Sequence, residues 1–156
     1  MKWQDVGEQP CSIARSLAIV GDRWTLMVLR SAFLGVRRFD DLQGMLGVTR
    51  HVLADRLKRL VAAGVLKKVP YQDRQERFEY RLTEQGRDLY PVLLALTTWG
   101  DKWLDGGMGP PLQYRHHKCG KLFTPTMTCS ECGEAVSPHE VTPMAGPGLS
   151  ARRPSA

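Results

Sequence analysis

Three of the chain's four cysteines crowd into a short C-terminal stretch beside a pair of histidines, as His116-His117-Lys118-Cys119-Gly120 and Cys129-Ser130-Glu131-Cys132-Gly133. Two residues separate His116 from Cys119, and two separate Cys129 from Cys132. The glycine closing each group lets the backbone turn under a metal while its amides point at the thiolates, which is how paired zinc knuckles present their ligands. His116, Cys119, Cys129 and Cys132 are therefore the candidate metal site, and a structural zinc is the expected cofactor. His117 is an alternative fourth ligand and His139 a distant one. A fold that needs no metal, or a fortuitous cluster, stays open. A catalytic zinc fits less well, because Glu131 lies between two cysteines and no His-x-Glu precedes a Pro-Cys-x-x-Cys. Elsewhere no nucleophile and base pair, glycine-rich phosphate loop or carboxylate dyad is readable, so no enzyme activity is expected.

The second chemical signal is charge. The chain has 156 residues and a formal net charge of +6, which admits a polyanionic partner without demanding one. From Arg37 to Lys68, eight basic side chains stand against Asp40, Asp41 and Asp55. Arg37, Arg38, Thr49, Arg50, His51, Lys58, Arg74 and Arg77 are the candidate contacts to duplex DNA. A solvated basic helix on an ordinary domain would show a similar cluster.

The elements that must position these residues follow from periodicity. Apolar residues at helical spacing begin at Cys11 and run to Val20. Asp22 can cap a second, largely apolar helix, Arg23 to Phe33, which belongs in a core. A short helix over Phe39 to Leu46 is followed by the tight turn Gly47-Val48. Thr49 can cap the next helix, which reaches about Ala63 and stops at Gly64. Its Leu53, Leu57, Leu60 and Val61 form a stripe toward the body, leaving Arg50, His51, Ala54, Asp55 and Lys58 on the other side. Val65, Leu66, Val69 and Tyr71 then lead through QDRQER to the alternation of Phe78, Tyr80 and Leu82, a hairpin with a charged tip. Thr83-Glu84 opens a last long helix, and Pro91 should kink it.

The order helix, turn, helix, charged hairpin is that of a winged helix-turn-helix, in which the second helix enters the major groove and the first braces it across the backbone. The expected fold is mostly α with a small β-hairpin wing over residues 8–105. A Cys/His module resembling a zinc ribbon follows over 106–142. The Pro/Gly/Ser/Arg-rich stretch 143–156 has almost nothing to bury and should lack structure. No internal repeat is visible. No apolar run near the start suggests a secretory signal, and none approaches the ~20 residues of a membrane span, so a cytoplasmic protein is expected.

Residues 11 to 100 resemble the HxlR-type branch of the MarR-like winged-helix regulators. The resemblance rests on GDRWTLMVLR, LGVRRFDDLQ, LADRLKRLVAAGVL, RFEYRLTEQGR and the closing helix ending in Trp-Gly. One departure is Ser12 after Cys11, where the family often places proline. The resemblance implies a homodimer built mainly through the first and last helices, with two recognition helices presented to half-sites about one helical turn apart. The expected function is a sequence-specific transcription regulator, a repressor on a palindromic operator. The alternative is a zinc-ribbon adaptor that binds protein.

In the resembled family some members use a cysteine at the place of Cys11 to sense electrophiles or oxidants, and a small-molecule effector is a further expectation. The amides at a helix start favour a thiolate there, and Arg15 lies one turn along. An inert cysteine packed against the dimer partner is the other reading of Cys11.

Overall fold

The computed structural model describes residues 7–70 and 77–150. It forms two compact units, one ending at Tyr90 and the other beginning at Pro91. Most of the closing helix lies in the second unit.

In the first unit, helix α1 spans Ser12–Val20 and buries only Ala14 and Val20. Helix α2, Arg23–Phe33, starts where the Asp22 side chain accepts the amides of Trp24 and Thr25, occupying two donors that a helix start leaves unpaired. Helix α3, Phe39–Leu46, ends at Gly47, whose φ of 64° is left-handed. A Cβ would strain that backbone, and glycine makes the sharp turn possible.

Helix α4, Arg50–Ala62, is capped by Thr49, whose side chain accepts the Val52 amide. No glycine or proline interrupts it, and Leu53, Leu57 and Leu60 recur on one face. They are buried with Val28, Leu29, Leu42, Val65 and Leu66. Each such side chain contributes about 1.5–3 kcal/mol of hydrophobic stabilisation, so α4 is held by its leucine stripe more than by helix propensity. The helix closes where the Val65 amide bonds the Leu60 carbonyl.

Strands β1, Leu66–Pro70, and β2, Phe78–Leu82, pair antiparallel from Leu66↔Leu82 to Pro70↔Phe78. A further bridge joins Arg38 to Glu79, and the Tyr80 amide donates to the Arg37 carbonyl at 2.8 Å. The segment before α3 is thereby tied to the wing. The architecture is mostly helical with a small antiparallel hairpin, a winged helix-turn-helix.

The expected single long helix after Thr83 is instead two. Helix α5, Glu84–Arg87, stops before α6, Tyr90–Trp103. Pro91 has no amide for the Arg87 carbonyl four residues back, and its ring would collide with that carbonyl. The chain therefore breaks after Arg87 and restarts with Pro91 in the first turn, where a missing amide costs little.

In the C-terminal unit α6 leads to a two-stranded pairing of β3, Tyr114–Arg115, with β4, Leu122–Phe123. The stretch from 143, expected to lack structure, carries one helical turn among its described residues, α7 over Pro147–Ser150. Proline's fixed φ suits the first position of such a turn. Residues 151–156 lie outside the described residues. No helix among the described residues is long and apolar enough to cross a membrane.

Candidate nucleic-acid interface

The outward face of α4 follows from its inward one. With Leu53, Leu57 and Leu60 buried, His51, Ala54 and Lys58 lie exposed at spacings of three and four, so they share one ridge. Asp55 is drawn out of that ridge: it is half-buried and pairs with Arg56 and, at 2.9 Å, with Arg59.

Arg56 does not belong to the exposed basic face at all. Its side chain is only 20% exposed, and its Nε lies 2.7 Å from Asp22 Oδ1. Burial alone would raise the Asp22 carboxyl, but the Arg56 hydrogen bond, the amides of Thr25 and Trp24 and the Arg56 charge together hold it below the ordinary value. The same carboxylate thus caps α2 and anchors α4, fixing the angle at which α4 is presented.

Arg50, at the start of α4, reaches back to α3. Its Nη1 donates to Asp40 Oδ1 at 3.0 Å and to Gln43 Oε1 at 3.2 Å, and its guanidinium lies 4.7 Å from the centre of the Phe39 ring. Both partners of the ion pair are highly exposed, so the pairing is weak in water and the guanidinium can exchange Asp40 for an incoming phosphate. Arg38, Arg50 and Arg77 line one recess of about 490 Å³, together with Lys68. Sequence reasoning passed over Lys68 as a site residue. Strand alternation was the available signal, and the register sets it opposite Tyr80 with its Nζ 3.8 Å from the Phe78 ring centre. Burial pushes the Tyr80 phenol above its ordinary value.

Arg37 is exposed beside the wing, and the Thr49 hydroxyl oxygen is engaged as the α4 cap. Arg74 lies outside the described residues. The structure thus brings Arg38, Arg50 and Arg77 together at one recess and sets His51 and Lys58 on the α4 ridge.

Cys11 is exposed and stands at the N-cap of α1. Arg15, expected to assist it, instead donates to Ser12 Oγ at 3.1 Å, since Ser12 offers an acceptor one helical turn before it. In the C-terminal unit, His116 Nδ1 and Cys119 Sγ are 3.5 Å apart. The Cys129 thiol is held below the usual cysteine value by the amide of Cys132, then by that of Glu131 and by the Cys132 side chain. Among the described residues no three Cys, His, Asp or Glu side chains form a group that could hold one metal ion, so the four expected ligands stand as two pairs.

The profile of the HxlR-like helix-turn-helix family matches residues 19–108, a span containing both helices of the turn, the wing and α6. The chain belongs to the HxlR-like helix-turn-helix family. Among its relatives, a protein of Mycobacterium tuberculosis named an HTH-type transcriptional regulator is 48% identical over 141 residues, covering 90% of this chain and 89% of the relative. Another of that name from Synechocystis is 34% identical over 96 residues, covering 61% of this chain and 71% of the relative. A solved structure described as a transcription factor from Pseudomonas aeruginosa matches at 35% identity and a TM-score of 0.61, covering 88% of this chain and 93% of its own. The redox regulator HypR in its reduced form matches at 27% identity and a TM-score of 0.55, over 59% of this chain and 92% of its own. As an HxlR-like protein the chain carries α3, the Gly47 turn and α4 inside the matched segment. The M. tuberculosis relative extends the similarity well beyond the family segment, into the Cys/His region.

Proposed function

We propose that this HxlR-like chain is a cytoplasmic transcription regulator, a repressor, that binds a palindromic operator as a homodimer, with α4 in the major groove. The observation that carries the reading is the α4 ridge of His51, Ala54 and Lys58, turned outward by the buried leucine stripe and the Arg56–Asp22 pair, beside the Arg38, Arg50, Lys68 and Arg77 recess. Cationic side chains on a groove-sized helix can reach base edges or phosphates, and flanking arginines fix register on the backbone. Dimer formation is supported by apolar side chains left outside in each unit: Ile13 and Leu17 on α1, and Val92, Leu96, Trp99 and Trp103 on α6. An exposed Cys11 and the likeness to a redox regulator support control by an oxidant or electrophile, with a small ligand as the other effector class.

Genome-wide footprinting of the native protein followed by titration of one footprinted site tests this reading. Binding of one dimer to a two-fold symmetric sequence, weakening steeply with added salt through counterion release, is the expected result. Equal affinity for unrelated duplexes, or none for any, overturns it.

A further inference from the structure

The two Cys/His segments, which share little sequence, form the same turn twice. In the first, the Gly120 amide bonds the His116 carbonyl at 2.7 Å and the His116 amide bonds the Lys121 carbonyl at 2.9 Å; in the second, Gly133 bonds Cys129 at 2.9 Å and Cys129 bonds Glu134 at 2.8 Å. Both turns are closed by antiparallel pairing at matching positions, Arg115↔Leu122 and Thr128↔Ala135. Gly120 and Gly133 take left-handed φ values of 68° and 77°, a conformation that glycine adopts without strain. The duplicated hairpin sets His116 with Cys119, and Cys129 with Cys132, at equivalent corners.

We propose that these two turns are the halves of one structural zinc site, with His116, Cys119, Cys129 and Cys132 as its four ligands. Zinc–sulfur and zinc–nitrogen bonds of about 2.3 and 2.1 Å at a tetrahedral angle set two such ligands roughly 3.6 Å apart. The 3.5 Å between His116 Nδ1 and Cys119 Sγ already meets that spacing. Three thiolates and an imidazole select zinc over hard cations such as magnesium or calcium.

The described residues of this module have no core. Among the described residues from Gly106 to Leu149 none is buried, and Leu122, Phe123, Met127, Val136 and Val141 are all exposed. A module this small without a core needs a metal or a disulfide to hold one conformation, and all four cysteines are free thiols. Each turn alone offers two ligands, which hold an ion weakly; one ion drawing both together supplies the missing constraint. The segment between the turns, including Phe123 and Met127, shares a recess of about 530 Å³ with Pro91, Leu94 and Ala95 of α6. Closing the turns on a metal would fix that segment beside the helix.

The test uses full-length, untagged protein purified in reductant without chelator. About one zinc per chain is expected. Cobalt(II) exchanged into the site should give the intense visible bands of a tetrahedral thiolate complex, and Cys119→Ser and Cys132→Ser should each abolish tight uptake. His116→Ala should lower metal affinity at least tenfold while His117→Ala leaves it unchanged. If the variants fold poorly, chelator added to the unaltered protein should release the zinc and expose the chain after Gly106 to protease. Protein that neither carries zinc nor takes up cobalt overturns the proposal, as does a stoichiometry of one ion per two chains or a disulfide in place of metal. DNA binding is measured on the same samples, so failure of the metal site and failure of the regulator reading are separately visible.

Discussion

Arg56 Nε sits 2.7 Å from Asp22 Oδ1 while the same Asp22 oxygen accepts the Trp24 amide at 3.0 Å. One carboxylate therefore starts α2 and anchors α4, although the pair lies 34 positions apart in sequence. Asp22→Ala should remove a helix cap worth about 1 kcal/mol and also leave Arg56 without its partner. With Arg56→Met it should show a coupling of roughly 0.5–3 kcal/mol in a double-mutant cycle by urea unfolding. Additive losses would mean that the pair does not act as a unit.

The same pair sets an acid limit. Because the folded Asp22 carboxyl lies below its ordinary value, its contribution is complete above the unfolded pKa of about 3.9 and fades as pH falls through the folded one. The stability gap between the unaltered protein and Asp22→Asn should be constant above about pH 5 and narrow in more acidic buffer. A gap that widens toward acid would reverse the sign of this assignment.

Lys58 and Arg50 should separate two modes of contact. Lys58→Ala should weaken operator binding by about 1–3 kcal/mol if it reaches a base or a charge-assisted contact, with unchanged thermal stability, since Lys58 is exposed on the α4 ridge. Arg50→Ala should weaken binding across sequences and lower the salt slope by about one, the mark of a lost phosphate contact. Its exposed pairing with Asp40 should cost the fold no more than ~1 kcal/mol. Two unchanged titration curves would remove α4 from the groove.

For assembly, Trp99→Asp and Leu96→Asp place charge on α6 side chains that are exposed in the single chain. A buried unpaired carboxylate costs several kcal/mol, so sedimentation should find monomer with its helical circular dichroism intact. A dimer unaffected by both would locate the interface away from α6.

Gly47→Ala tests the turn. The residue has φ of 64° with nothing within 4 Å of an added Cβ, so the cost should be backbone strain alone, about 1–2 kcal/mol. Gly47→Asn should cost less, since asparagine tolerates the left-handed region. A thermal unfolding series of the three proteins checks the order.

Periodicity in the sequence was enough to locate α1 to α4, the leucine stripe of α4 and the hairpin, because local spacing decides which face of a helix or strand is apolar. Pro91 showed that the last helix would be disturbed, but the outcome, a full break after Arg87, depended on which carbonyl its ring opposes. Spacing likewise marked the Cys/His pairs and the glycine closing each, but that the two turns also match in hydrogen bonding, from Arg115–Leu122 to Thr128–Ala135, came only from the fold. The basic residues were all visible as charge; only tertiary structure sorted them. Arg56 was withdrawn to Asp22, Arg50 was folded back onto Asp40 and Gln43, and Lys68 was brought to the recess. Composition cannot decide such pairings, because a side chain's partner is set by which distant element its backbone happens to face.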